Sequence, residues 1–95
     1  MSKYARKVDT NQLEIQMALI AAGYVVDDMS RVGCGVPDLM VQAKTGAIVL
    51  LEVKHKRGRL TKPECDFFER WLLSPVYIVR SAEEALAAMG IEDER

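Results

Sequence analysis

"GVPDLMVQAKTGAIVLLEVKHK", residues 35–56, contains two apolar runs joined by a short turn. Gly46 is the last residue of that turn, where a three-residue hairpin loop favours a positive φ. If the hairpin is centred on Thr45, the register of the two strands is fixed. The opposed pairs are then Leu39 with Leu51, Val41 with Val49 and Ala43 with Ala47 on one face, and Met40 with Leu50 and Gln42 with Ile48 on the other. The pattern predicts an antiparallel β-hairpin.

Ionisable residues lie at the open end of this hairpin. Asp38 faces Glu52 in the same register, and opposed residues have Cβ atoms about 4.5–5.5 Å apart. Lys54 is on the same face as Glu52, one step further along. Two carboxylates at the end of an apolar face repel each other, and burial penalises their charge, unless a cation joins them. Mg²⁺ suits such a pair, because it takes one or two carboxylates and fills its other positions with water and phosphate oxygens.

Beside such an ion, Lys54 can orient a nucleophilic water or neutralise charge on a phosphate. Neither Cys nor His is placed to suggest zinc instead. The alternative interpretation is that Asp38, Glu52 and Lys54 form a solvated, ion-paired strand end with no catalytic role.

Periodicity predicts the remaining elements. Asn11 caps a helix that runs to Ala22, and Gly23 ends it. The apolar side of this helix is predicted to contain Leu13, Met17, Ile20 and Ala21. The predicted strands are Tyr24–Asp28, Asp38–Ala43, Ala47–Lys54 and Pro75–Arg80. The element order is thus αβββαβα once the two later helices are added, which is an α/β fold.

Capping boxes mark both later helices. Thr61 with Glu64 opens a helix that runs to about Leu73, and its apolar side contains Phe67, Phe68, Trp71 and Leu72. Ser81 with Glu84 opens the last helix, whose apolar residues recur at helical spacing up to Met89, before Gly90.

The 95 residues predict a single domain, 1–95, with a core modest enough that self-association is expected. The longest apolar stretches are much shorter than the roughly 20 residues that span a bilayer, and MSKYARK does not lead into a signal-peptide core. We therefore expect an intracellular protein. Cys34 and Cys65 lack metal-binding spacing and are expected to be free thiols that pack against neighbouring residues.

Positive charge is concentrated in one segment although the formal net charge is −1. Residues 54–62, here called the basic loop, contain five of the thirteen Lys and Arg residues and no acid. A solvated loop is one explanation of this cluster. Its position at the end of the Glu52-Val53-Lys54 sequence favours contact with nucleic-acid phosphates.

Pro37-Asp38, followed after thirteen residues by Glu52-Val53-Lys54, resembles the PD-(D/E)XK motif of the restriction-endonuclease-like nucleases. From about Gln12 to Met89 the chain also resembles the VRR-NUC domain, particularly its stand-alone virus-type form. The matching features are Glu14, RVGCGVPDL, LLEVK and RLTKPECDFFERW, followed by a final strand and helix. The resemblance implies a restriction-endonuclease-like core, in which a four-stranded mixed sheet is flanked by helices.

The resemblance also implies roles for individual residues. Asp38 and Glu52 would ligate Mg²⁺ or Mn²⁺, with the main-chain carbonyl of Val53 as a further ligand, and Lys54 would assist the attacking water. Glu14 would complete the site directly or through water, and its side of the helix carries small alanines that allow close approach to the sheet. Alternatively, Glu14 pairs with Asn11 as a helix-start acid.

Glu64 occupies a position where the family often has Gln, and it is a further site candidate. Its place as the third residue of the Thr61 capping box already gives it a structural role.

The function implied is metal-dependent, structure-selective cleavage of phosphodiester bonds in branched DNA such as Holliday junctions. The protein would act as a homodimer in the cytoplasm of a bacterial or phage-infected cell. The basic loop would hold the DNA backbone without reading bases through Lys56, Arg57, Arg59 and Lys62. Two alternatives are a non-catalytic DNA-binding or assembly module with the same fold, and a small interaction domain that binds no nucleic acid.

Overall fold

The structure is a computed structural model that describes residues 10–95. The segment MSKYARK, for which no signal peptide is predicted, lies outside the described residues. The elements are α1 (Thr10–Ala21), β1 (Val26–Asp28), β2 (Leu39–Gln42), β3 (Ile48–Val53), α2 (Lys62–Arg70), β4 (Val76–Val79) and α3 (Ala82–Asp93). The predicted order αβββαβα is confirmed, and the strands are shorter than predicted by one or two residues at most ends.

The four strands form one mixed sheet in the order β1-β2-β3-β4. β1, β2 and β3 pair antiparallel, and β4 pairs parallel to β3 after the crossover through α2. The predicted hairpin register is confirmed by four consecutive pairs, from Leu39 with Leu51 to Gln42 with Ile48. Gly46 has a φ of +92°, as the hairpin loop requires.

One face of the sheet forms the core, against α1 and α3. Alternate residues of β2 and β3 lie on this face, because side chains alternate along a strand. The buried cluster contains Leu39, Val41, Val49, Leu51, Val53 and Val79 from the strands, Ile15 and Leu19 from α1, and Ala85, Ala88 and Met89 from α3. Glu52 and Lys54 belong to the opposite face.

The predicted apolar side of α1 is wrong. Leu13, Met17 and Ile20 are 51%, 60% and 53% exposed, whereas the helix buries Gln12, Ile15 and Leu19. Apolar residues occur on every side of this helix, so periodicity alone does not identify the side that packs.

Asn11 does not cap α1, because it lies within the helix, of which Thr10 is already part. Its side-chain amide instead donates to the main-chain carbonyls of Lys54 (2.9 Å) and Arg80 (3.2 Å). Asn11 therefore ties the first turn of α1 to the ends of β3 and β4.

The capping box of α2 is present as predicted, but the helix ends at Arg70 rather than near Leu73. α3 begins after Ser81, whose hydroxyl accepts from the Glu84 amide. It continues through Gly90 to Asp93, so the predicted end at Gly90 is wrong.

Contacts beyond Gly90 explain the longer helix. Glu92 accepts a hydrogen bond from the Tyr77 hydroxyl. Asp93 accepts from the Tyr24 hydroxyl at 2.5 Å and from the Lys44 amide at 2.7 Å.

No helix within residues 10–95 is long and apolar enough to cross a membrane. Both cysteines are free thiols, as predicted. Cys34 is exposed and has a φ of +56°, so the expectation that it packs is wrong.

Candidate active site

Asp38 and Glu52 lie at the open end of the hairpin. Asp38 directly precedes Leu39, Glu52 directly follows Leu51, and Leu39 with Leu51 is the last pair of the register. The Asp38 carboxylate accepts a hydrogen bond from the Val53 amide at 2.9 Å, which fixes its orientation toward β3. The Asp38 carboxyl lies close enough to Glu52 for its negative charge to raise the pKa of Glu52. The structure thus brings together the two acids that the sequence pattern placed opposite each other.

Glu52 is buried in an environment that opposes its charge. Glu52 is only 2% exposed, and its Oε1 atom has no hydrogen-bond partner. Burial and then the negative charge of Asp38 raise the pKa of Glu52 well above its usual range, and Lys54 offsets only part of this shift. In the protein alone, Glu52 therefore tends to hold a proton at neutral pH.

Lys54 lies between two acids. Its Nζ atom is 2.8 Å from Glu64 and 3.6 Å from Glu52, and its side chain is largely buried. Burial by itself would lower the pKa of Lys54, but the hydrogen bond to Glu64 and the charges nearby outweigh it and raise that pKa. Lys54 is accordingly charged, and its ammonium lies closer to Glu64 than to Glu52.

Glu64 has two roles in one position. Its Oε1 atom accepts from the Thr61 amide at 2.8 Å, which completes the capping box of α2, and the same atom contacts Lys54. Burial opposes the charge on Glu64, yet Lys54 and the Thr61 amide lower its pKa. The structural role predicted for Glu64 is present, and Glu64 also holds Lys54 in place.

The main chain of Val53 also faces Asp38. Its amide donates to the Asp38 carboxylate, and the carbonyl of a strand residue points to the same side as its amide. The Val53 side chain is buried in the core on the other face of the sheet. The carbonyl thus borders the carboxylate pair at the edge of β3.

The approach to Asp38 is packed against α2. Gly35 has a φ of +83°, and a Cβ added there would lie 2.2 Å from the main-chain oxygen of Pro63. Only glycine permits this contact, which holds the loop before β2 on the first turn of α2. Pro37 is fully buried.

Glu14 lies apart from this group. Its helix packs on the face of the sheet opposite to Glu52, and Glu14 is exposed. It lines an open depression of about 420 Å³ with Thr10, Asn11, His55, Lys56 and Arg80. Within residues 10–95, Glu14 forms no metal-binding group with the carboxylate pair, and neither Ala18 nor Ala21 belongs to the buried core cluster.

The predicted DNA-contacting residues are on the surface. Lys56, Arg57 and Arg59 are exposed in the irregular part of the basic loop. Lys62 is the first residue of α2 and pairs with Asp66 at 2.8 Å, four residues along the helix.

Arg80 is a residue near the site that sequence analysis did not single out. Its Nη1 atom donates to the carbonyls of His55 (2.5 Å), Gly58 (2.8 Å) and Lys56 (3.4 Å). The contact joins residues more than twenty positions apart, so no local sequence pattern indicates it.

Within residues 10–95, no group of three or more His, Cys, Asp or Glu side chains is arranged to hold a metal ion. Asp38 and Glu52 supply two carboxylates, so any ion here would depend on the main chain, water or substrate for its other ligands. Comparison with protein-family models, curated proteins and solved structures finds no significant match to this chain.

Proposed function

We propose that this chain is a metal-dependent DNA endonuclease of the PD-(D/E)XK superfamily, with the restriction-endonuclease-like fold of the VRR-NUC domain. The observation that carries the proposal is the pairing of Asp38 with the buried Glu52 on one face of the hairpin end, with the Lys54 ammonium beside them. The mixed sheet, with three antiparallel strands and a parallel fourth, is compatible with that fold.

The donor set suits Mg²⁺ or Mn²⁺. Asp38, Glu52 and the Val53 carbonyl would hold the ion, because hard divalent cations prefer oxygen ligands. The unpartnered Oε1 atom of Glu52 supports this assignment, since a buried carboxylate oxygen without a donor is costly unless a cation accompanies it. The bound ion would supply charge stabilisation for phosphodiester hydrolysis. Glu14 is not included, because it is exposed and forms no metal-binding group with Asp38 and Glu52 within residues 10–95.

Lys54 would act on the substrate. Its ammonium can donate a hydrogen bond to the attacking water or to a phosphate oxygen, stabilising the charge that develops in an in-line displacement. Glu64 holds that ammonium through a 2.8 Å contact, so Glu64 is a residue that positions Lys54.

DNA would bind along the basic loop. Lys56, Arg57, Arg59 and Lys62 would contact backbone phosphates and give affinity that falls steeply with salt. We propose branched DNA, such as four-way junctions, as the substrate, because the resemblance to the VRR-NUC domain implies it and contacts to the backbone read no bases. The site of action would be the cytoplasm of a bacterial or phage-infected cell.

A homodimer would place two such sites on one substrate, so that two strands are cut. Exposed apolar residues support self-association: Trp71 is 45% exposed, Leu72 78% and Leu73 103%, and Trp71 stacks on Phe67. Analytical ultracentrifugation should give the mass of a dimer.

A non-catalytic DNA-binding module with the same fold is the second candidate. Two observations favour it: Lys54 is closer to Glu64 than to Glu52, and residues 10–95 contain no three-ligand group of acidic, His or Cys side chains. In this case the protein would bind branched DNA and leave it intact.

A cleavage assay separates the two candidates. The protein is incubated with Mg²⁺ or Mn²⁺ and a four-way junction, a flap, a duplex or a single strand, with Lys54→Ala as the control. We expect cleavage that requires metal, is greatest on branched DNA and is lost in Lys54→Ala. Binding without cleavage of any substrate would favour the second candidate, and absence of binding would contradict both.

A further inference from the structure

The contacts of Arg80 belong neither to the proposed metal site nor to the proposed DNA contacts. It follows β4 directly and is half-buried behind the basic loop. Its Nη1 atom meets the His55 carbonyl at 2.5 Å and the Gly58 carbonyl at 2.8 Å, with the Lys56 carbonyl further away at 3.4 Å. Three main-chain oxygens of the loop thus converge on one nitrogen of the guanidinium group.

The loop is folded tightly around this contact. The Gly58 amide donates to the His55 carbonyl at 3.0 Å, which closes a turn. A Cβ at Gly58 would lie 3.3 Å from the His55 nitrogen, so a larger residue would press on the turn. Because the carbonyls of the loop point inward at Arg80, its basic side chains are left on the outer surface.

Arg80 itself is held at a fixed position. Its amide donates to Glu84 at 2.8 Å, and its carbonyl accepts from Asn11 at 3.2 Å. The same Asn11 amide reaches the Lys54 carbonyl at 2.9 Å, and the Lys54 amide donates to Val79 at 3.0 Å. The start of the loop and the base of the Arg80 side chain therefore belong to one hydrogen-bonded unit.

The positive charge of the basic loop explains why it needs the contacts with Arg80. Lys56, Arg57 and Arg59 lie within four residues of one another with no acid among them, and their mutual repulsion favours an extended, mobile chain. A guanidinium group has several donors in a fixed planar arrangement, so it can bind several carbonyls at once, which a lysine ammonium does less well.

We infer that Arg80 is a positioning residue that holds the basic loop in the conformation that presents Lys56, Arg57 and Arg59 to DNA. The inference rests on the proposed function for the identity of the ligand. The ordering of the loop by Arg80 is independent of that function. Arg80 acts through its carbonyl contacts and makes no phosphate contact of its own.

Limited proteolysis tests the ordering of the loop without DNA. Trypsin cuts after Lys56, Arg57 and Arg59 only when the loop is open to it, and mass spectrometry identifies these cuts. We expect Arg80→Lys and Arg80→Gln to accelerate cleavage at these sites by about tenfold, because the open population of the loop rises. Arg70→Lys and Arg70→Gln are matched controls, since Arg70 is exposed and its described contact is with the Phe67 ring.

Measurement of DNA affinity tests whether the ordering of the loop by Arg80 matters for binding. If only a tenth of the molecules have the loop in place, apparent affinity for a four-way junction falls about tenfold. We expect this loss in both Arg80→Lys and Arg80→Gln, measured in EDTA at fixed salt. Normal affinity in Arg80→Lys, with no faster proteolysis, would overturn the inference, because charge alone would then suffice.

A double-mutant comparison separates positioning from direct contact. In an Arg57→Gln/Arg59→Gln background, Arg80→Gln should weaken binding much less than it does in the native sequence. Full additivity would identify Arg80 as a phosphate contact and contradict the inference. If the native protein binds no DNA while the Arg80 variants still open the loop to trypsin, the proposed function fails and the ordering role of Arg80 stands. Thermal unfolding shows whether each variant is folded.

Discussion

Glu52 on β3 and Glu92 on α3 are both buried glutamates, and they have opposite surroundings. Glu92 is 4% exposed and accepts hydrogen bonds from the Tyr77 hydroxyl and from Arg95 at 3.1 Å. Glu52 is 2% exposed, has one oxygen without a partner, and lies beside another carboxylate.

The difference indicates what each carboxylate is for. Glu92 binds donors that fix α3 against β4, so folding explains its burial. The surroundings of Glu52 raise the free energy of its charged form, and Lys54, 3.6 Å away, offsets only part of this cost. The proposed cation between Glu52 and Asp38 would offset the rest.

The largest expected effect is on catalysis. Glu52→Gln should lower the rate of metal-dependent junction cleavage by about 100-fold or more, because it removes an anionic ligand while keeping the shape of the side chain. Binding of the junction in EDTA should persist. Glu92→Gln is the matched control and should cleave at close to the native rate. Native activity in Glu52→Gln would refute the metal-site assignment.

A second expected effect is a gain in stability from the same substitution. In metal-free buffer near neutral pH, Glu52→Gln should raise the free energy of unfolding by about 1–3 kcal/mol. The folded pKa of Glu52 is raised from an ordinary value of 4.5, so above that pH the folded chain holds a proton that the unfolded chain has released. Native stability therefore falls as pH rises from 4.5 through the raised pKa.

Urea unfolding at several pH values checks the direction of this pH dependence. The advantage of Glu52→Gln should be absent near pH 4 and should grow toward neutral pH. A constant difference across this range would show that the ionisation of Glu52 does not oppose folding.

A loss of stability is expected when Glu92 is replaced. Glu92→Ala should lower the free energy of unfolding by about 1–3 kcal/mol, since it leaves the Tyr77 hydroxyl and Arg95 without their acceptor. Urea unfolding measures this loss. Unchanged stability would mean that Glu92 is no better accommodated than Glu52, and the contrast between the two would fail.

The smallest effect tests the helix that carries Glu92. Gly90→Ala should raise the free energy of unfolding by about 0.5–1 kcal/mol, because alanine favours a helix interior and a Cβ there meets nothing within 4 Å. If the helix instead ended at Gly90 in a left-handed conformation, alanine would destabilise the protein. Thermal unfolding of the two proteins distinguishes these outcomes.

The hairpin could be predicted closely because its determinants are local. Gly46 fixes the turn, and alternation then fixes which residues oppose each other, down to the placement of Asp38 beside Glu52. The capping box of Thr61 and Glu64 is equally local and was also predicted correctly.

The apolar side of α1 and the end of α3 could not be predicted in the same way. α1 has apolar residues all around it, and its packing is decided by which of them fits the sheet. α3 passes Gly90 because Glu92 and Asp93 find hydroxyl donors on Tyr77 and Tyr24, which are distant in sequence.

The sequence by itself determined the order of the elements, the hairpin register and the meeting of Asp38 with Glu52, since turn geometry and side-chain alternation act between near neighbours. Only the tertiary structure decided that Glu14 is not grouped with that pair, that Glu64 holds Lys54, and that Arg80 holds the basic loop. These contacts join residues far apart in the chain, and their existence depends on how helices and strands pack rather than on any local preference.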